Sequence, residues 1–239
     1  MSLRDRTLDP ARRQRIARVK RWMAPVRAAI IVGLVWWITG AHRGDSGPAL
    51  LLAHLVLFLG ITLERLTVPA WVEGWQSDRR SKARLALAFF LTVGVSFAER
   101  GRHPILVPTQ QLEIAFLIAG ALLVAVGMGV RQWAIRSLGA FFTDRARIVD
   151  DHQLVQHGIY ARLRHPAYLG LALVFVGYPV MLLSVAGAVV CAIVLPWSLG
   201  FRIRTEEAIL STHFGAAWDA YAARTPALWP FGRRIRPDG

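Results

Sequence analysis

From Ala167 to Phe201 the chain is apolar for 35 residues, longer than one crossing of a bilayer needs. Such a run leaves few options. In hydrocarbon every backbone amide must be paired within the protein, so the segment must be helical if it enters a membrane. Gly177, Pro179, Ser184 and Gly187 supply breaking points near its middle. The run therefore reads as a helical hairpin over 167–200, with short spans at about 167–181 and 184–200 joined by a tight turn. Four further apolar stretches precede it, about Ala24 to Ala41, Ala49 to Leu66, Leu85 to Ala98 and Leu112 to Val130. The expected fold class is all-α: a polytopic integral membrane protein of about six transmembrane helices. Overall, 54% of the 239 residues are hydrophobic and the mean hydropathy is +0.40, which agrees with that class.

Charge orients the expected bundle. The net charge is +14, with an isoelectric point near 11.5. In a soluble chain this would suggest nucleic acid; here basic residues facing anionic lipid account for it, and no nucleic-acid partner is expected. With six spans both termini share one side. Only Arg43, Arg100 and Arg102 of the 29 basic residues then fall in outer loops. That asymmetry places both termini in the cytoplasm and favours the hairpin over one long tilted helix. Arg greatly outnumbers Lys and Ala is abundant, which hints at a high-GC bacterial genome and a bacterial inner membrane. The first 23 residues are polar and basic, with no apolar stretch of the kind a signal peptide carries.

Three regions follow: a basic cytoplasmic arm, 1–23; four spans, 24–130; and a C-terminal region, 131–239, with the hairpin and a polar tail expected to be helical from Arg202 to Ala223. Between Arg131 and Pro166 lies a 36-residue polar stretch, too long for a plain connector and rich in aromatic and charged residues. The hairpin would return Arg202, Glu206 and Glu207 to the face that holds Gly158, Tyr160, Arg164, His165 and Tyr168. Ionisable groups at a membrane boundary are costly and are usually kept for a reason. Glu206 can accept from a ribose hydroxyl or an amino group. Arg164 or Arg202 can clamp a carboxylate bidentately. Tyr160 and Tyr168 offer π faces to an adenine ring or a sulfonium. Gly158 allows a turn or a close approach to a ligand, and Pro166 suits a helix's first turn.

Plainer readings stand beside these. Arg164 and Arg202 also read as interfacial anchors, His165 as a helix-entry residue, and Glu206 and Glu207 as helix-end charges. Arg131 reads equally as pocket lining or as a boundary charge. Glu64-Arg65 and Glu99-Arg100 read as boundary charges, His54 as a packed core residue, and Gly120, Gly127 and Gly129 as close-packing positions. Cys191 is the only cysteine, so no internal disulfide exists. No zinc spacing, phosphate loop or dinucleotide fingerprint is found, and no metal is expected.

The ordered set Arg131-Gln132-Trp133, Leu138-Gly139, Phe142-Thr143, Leu154-Val155, Gly158-x-Tyr160, Arg164-His165-Pro166-x-Tyr168-x-Gly170, Arg202-Ile203-x-x-Glu206-Glu207, Phe214-Gly215 and Tyr221 resembles the isoprenylcysteine carboxyl methyltransferases and their phospholipid-methylating relatives. The resemblance covers about Arg131 to Pro230. Trp218 departs from it, standing where a Tyr is common. The resemblance implies a cytoplasmic S-adenosylmethionine site, with S-adenosylhomocysteine as product, formed by Gly158, Tyr160, His165, Tyr168, Glu206 and Glu207; Arg131, which leads the matched segment, is a further candidate for cofactor binding. It implies Arg202 at the reacting group of a lipophilic small-molecule or lipid substrate, and a variable, substrate-facing role for 24–130; Arg164, able to clamp a carboxylate, is the second catalytic candidate. Carboxyl O-methylation is the preferred reaction. Methylation of a phospholipid amine or small thiol, and NADPH-dependent reduction of the sterol-reductase type, are the alternatives. Since protein prenylation is chiefly eukaryotic, a bacterial enzyme would methylate some other acceptor. The oligomeric state is left open.

Overall fold

The computed structural model describes residues 23–38, 48–67, 79–102, 104–138 and 154–228. The basic arm, the turn after the first helix, the Gly139, Phe142 and Thr143 positions and the basic C-terminus lie outside the described residues, apart from Met23. Every regular element among the described residues is helical. They are α1 (Ala24–Ile38), α2 (Pro48–Thr67), α3 (Arg79–Arg102), α4 (Gln110–Leu138), a 3-10 turn (Gly158–Ala161), α5 (Pro166–Met181), α6 (Val185–Phe214) and α7 (Ala216–Arg224). By length and composition α4 and α6 can each cross a bilayer, and α5 is a shorter apolar helix.

The expected hairpin is present, with different ends. Pro166 opens α5, as its preset φ and missing N–H allow. Gly177 and Pro179 lie inside α5, and the turn falls at 182–184. Leu183 takes φ 51 there, a left-handed conformation uncommon for a residue with a side chain. The second span, expected to end near 200, and the tail, expected to be helical from Arg202 to Ala223, are divided at a different point, Gly215. α6 runs unbroken to Phe214, so the second arm of the hairpin and the start of the polar tail are one helix. The physical reason is that nothing from Phe201 to Phe214 can stop a helix; the stop comes at Gly215, where φ is 52 and glycine pays no Cβ penalty. Likewise α4 extends past Val130 to Leu138, so Arg131 and Trp133 are helical residues rather than loop residues.

The most extensive seam joins α4 to α5. Glycines make it close. A Cβ on Gly127 would lie 2.5 Å from the Gly170 carbonyl oxygen, and one on Gly177 would lie 2.6 Å from Val124 Cγ2. Gly120 lies directly against the Met181 backbone. Gly129, by contrast, has no neighbour within 4 Å and takes no part in the seam. Ala53, Leu57, Val93, Phe97, Val174 and Tyr178 build the main core from α2, α3 and α5. The outer surface is also apolar: Ile30, Leu55, Leu122 and Ile193 are all exposed. So broad an apolar surface suits lipid far better than water.

At the far end of the hairpin, Glu99 does more than mark a boundary. It is buried on α3, and its carboxylate accepts from Ser184 Oγ at 2.5 Å, Ala186 N at 2.9 Å and Val185 N at 3.2 Å. Ser184 in turn accepts from Gly187 N at 2.9 Å, capping α6. The first amides of a buried helix need acceptors, and α3 supplies one. Replacing Glu99 by Ala is expected to lower stability by about 1–3 kcal/mol, because those donors are left buried and unpaired. Thermal unfolding checks this; an unchanged midpoint would rule out the capping role.

Candidate functional site

The opposite end of the hairpin gathers the charged residues into two linked clusters. In the inner one, Arg202 is 4% exposed, although it carries a guanidinium. Its Nε donates to the Tyr168 hydroxyl at 2.7 Å, and that hydroxyl donates to Glu206 Oε2 at 2.5 Å. Arg202 and Glu206 lie one turn apart on α6, while Tyr168 comes from the first turn of α5. The phenol therefore bridges a cation and a carboxylate across the hairpin. The Arg202 guanidinium carbon also lies 5.6 Å from the Tyr168 ring centre, within cation–π range.

In the outer cluster, Glu207 Oε1 lies 2.9 Å from His165 Nε2 and 3.3 Å from Arg164 Nη2. The His165 ring stacks on Tyr168 at 5.5 Å, so the two clusters share a wall. Burial by itself would raise the Glu207 carboxyl. The His165 hydrogen bond and charge, with the Arg164 charge, outweigh it and hold the group below the ordinary carboxylate range. A depressed folded-state pKa gives stability that is complete above the unfolded value and is lost as pH falls through the folded one. Glu207→Gln should therefore be less stable than the parent at about pH 7, with the gap closing towards about pH 3. Unfolding midpoints across that range check it; a gap independent of pH would refute the linkage.

Loop backbone locks this arrangement. Arg164 N donates to Pro226 O and His165 N to Ala227 O, each at 2.9 Å, so the segment after α7 holds the entry to α5. Arg164 also lies 5.9 Å from the Trp218 ring centre. Trp218, the departure from the resembled pattern, is buried and packs edge-on against Tyr221. Tyr221 Oη donates to Tyr160 O at 2.7 Å. Burial pushes the Tyr221 phenol up to about 12, only partly offset by the Arg164 and Arg224 charges, so it stays a neutral donor. Gly158 takes φ 61 at the start of the 3-10 turn, the conformation that favours glycine. Tyr160 is buried against Ala134 and Ala167, and its hydroxyl reaches Ala134 O at 3.5 Å. Arg131 Nη1 donates to Ala167 O at 3.4 Å.

The structure thus brings together His165, Tyr168, Arg202, Glu206 and Glu207, with Arg164 beside them. It sets Tyr160 in the packed wall behind them and Arg131 on the α4 side. Arg164 and Arg202 do not form one clamp: Arg164 belongs with Glu207 and Arg202 with Tyr168. Sequence reasoning assigned no role to Tyr221 or to the Pro226 and Ala227 carbonyls. Tyr221 stood in the motif set; backbone carbonyls leave no mark in a sequence.

Among the described residues, fold and site together define a helical protein with an apolar outer surface suited to lipid and a largely buried cation–phenol–carboxylate chain at one mouth of an apolar hairpin. Residues 119–212 match the isoprenylcysteine carboxyl methyltransferase family. A probable protein-S-isoprenylcysteine O-methyltransferase of Oryza sativa subsp. indica is 28% identical over 181 residues, covering 75% of this chain and 93% of that protein. Protein-S-isoprenylcysteine O-methyltransferase A of Arabidopsis thaliana is 36% identical over 114 residues, covering 47% and 58%. The protein-S-isoprenylcysteine O-methyltransferase of Rattus norvegicus is 35% identical over 122 residues, covering 49% and 42%. Among solved structures, the eukaryotic intramembrane Ras methyltransferase, an isoprenylcysteine carboxyl methyltransferase, superposes with a TM-score of 0.55 at 17% identity, covering 94% of this chain and 87% of that one. Over residues 119–212 the chain is thus similar in sequence to the isoprenylcysteine carboxyl methyltransferases, and its fold is similar to that of a solved intramembrane member of that family. These named relatives are eukaryotic, so they lend no support to the bacterial origin expected from composition.

Proposed function

We propose that this protein transfers a methyl group from S-adenosylmethionine to the carboxylate of a lipid-modified acceptor, such as an isoprenylated cysteine. The observation that carries the reading is the buried Arg202, held by Tyr168 and Glu206 at the mouth of the hairpin. A cation buried there and anchored through its Nε suits an oxyanion arriving from the lipid side. A carboxylate needs no general base; it needs orientation and release from water. Arg202 supplies the first and the apolar hairpin the second.

The residues present fit the cofactor. Glu206 and Glu207 offer acceptors for ribose hydroxyls and an amino group. The buried Arg164 Nε makes no hydrogen bond to a described residue, leaving a donor suited to a carboxylate. In this reading Glu206, Glu207, His165, Tyr168 and Arg164 hold the cofactor, while Gly158, Tyr160 and Arg131 form the wall. Bound there, S-adenosylmethionine supplies an activated methyl on a sulfonium. We place the site at the cytoplasmic face of six spans, with both termini cytoplasmic and 24–130 serving the substrate. Arg202 is our catalytic assignment, and Arg164 moves to cofactor binding.

Calorimetry on detergent-purified protein, with S-adenosylhomocysteine and NADPH in parallel, tests the cofactor. Binding of S-adenosylhomocysteine alone is expected, followed by label transfer from methyl-labelled S-adenosylmethionine to N-acetyl-S-farnesylcysteine. Binding of NADPH alone would overturn the reading in favour of a reductase. Transfer only to a lipid amine or a thiol would keep the cofactor and overturn the carboxylate acceptor.

A further inference from the structure

Arg84 is a cation that the site above does not use. It lies near the start of α3, at the seam with α6. Its guanidinium carbon is 4.1 Å from the Phe201 ring centre and 5.6 Å from that of Trp197. Phe201 and Trp197 are four residues apart, hence stacked on one face of α6. Both rings face outward, Phe201 39% and Trp197 54% exposed. Arg84 itself is half-buried and makes no hydrogen bond or ion pair with a described residue. Phe201 precedes Arg202, so α6 carries one cation inward and rests another on its lipid side.

A guanidinium laid on aromatic faces keeps its N–H donors around the edge of its plane. Stacking fixes the plane and leaves the edge able to grip two oxygens of a phosphate. A half-buried cation at a bilayer boundary, with no anion beside it among the described residues, is costly, and anionic lipid can lower that cost. The neighbouring sequence, Arg79-Arg80-Ser81-Lys82, adds positive charge of the same sign. Exposed rings on either side suit acyl chains, and free phosphate has no use for them.

We propose that Arg84, Phe201 and Trp197 form a binding site for the phosphate headgroup of an anionic phospholipid at the α3–α6 seam. The proposal rests on the membrane setting and does not depend on methyl transfer. It places a structural lipid directly outside the helix turn that carries Arg202.

Native mass spectrometry of the full chain in detergent, titrated with dioleoylphosphatidylglycerol or dioleoylphosphatidylcholine, tests it. The wild-type chain is expected to prefer the anionic lipid by about tenfold, the worth of one charge-assisted bidentate contact. Arg84→Gln should abolish the preference, and Arg84→Lys, which keeps charge without the planar edge, should keep part of it. Arg204→Gln, an exposed cation on the same helix, should leave it intact. A full preference in Arg84→Gln, an equal loss in Arg204→Gln, or displacement of the lipid by equimolar inorganic phosphate would each overturn the site. If Arg84→Gln does not fold, Trp197→Leu with Phe201→Leu removes the platform while keeping the charge. That pair should cut the preference severalfold, and an unaltered preference overturns the proposal.

Discussion

Arg202→Gln is expected to lower kcat/KM for the carboxylate acceptor by about 100- to 1000-fold, the cost of removing one preorganised charged donor from a buried site. Gln is close in length but lacks the charge. It leaves Tyr168 and Glu206 bonded to each other and removes the cation that balances Glu206. S-adenosylhomocysteine binding should fall far less, because Tyr168 and Glu206 keep their bond to each other and Glu207, His165 and Arg164 keep their own contacts. Activity and calorimetry on one preparation separate the two effects. A variant within tenfold of wild type would refute the catalytic assignment. Equal losses in both assays would move Arg202 to cofactor binding.

The largest structural effect is expected at Gly170. A Cβ there would lie 2.7 Å from the Arg131 amide nitrogen and closer still to the Gly127 carbonyl oxygen. Both are helix backbone, which cannot swing aside as a side chain can. Gly170→Val should therefore cost about 3 kcal/mol, the upper part of the range for overpacking a close seam. For a chain of this size that is roughly a 5–10 °C fall in the apparent unfolding midpoint. It should also weaken S-adenosylhomocysteine binding, since the same seam sets α4 and Arg131 against α5. Gly129→Ala is the control: with open space around it, the change should be neutral or slightly stabilising. Gly170→Val as stable as wild type would mean that α4 and α5 are not held as closely as described.

The Gly170 argument explains a motif position whose purpose the sequence conceals. The motif ends in glycine because the α4 backbone passes against it, a contact between residues far apart in the chain. Gly129 illustrates the converse. Read as sequence it is as good a packing glycine as Gly127, yet it faces open space. Helical period places both on α4, but only the partner helix decides which is buried.

Much of the site was legible, because chemistry restricts it to few residue types. Charges flanking a long apolar run had to lie at its ends, and a hairpin had to bring those ends together. That reasoning reaches His165, Tyr168, Arg202, Glu206 and Glu207 without coordinates. It does not pair them. Arg164 and Arg202 are equivalent clamps on paper; in the fold, Glu207 takes one and Tyr168 the other. Glu99 is the plainest case. Its sequence is that of a boundary charge, and its role depends on the start of a helix some 85 residues later.

Composition and hydropathy alone determined that this chain is helical and suited to a bilayer, since unpaired amides cannot be left in hydrocarbon. Spacing of charged and aromatic residues determined which end of the hairpin gathers them. Tertiary structure alone decided where α6 ends, which cation meets which carboxylate, and which glycines are buried. Those outcomes turn on contacts of a few ångströms between helices distant in sequence, and no local pattern of residues encodes such distances.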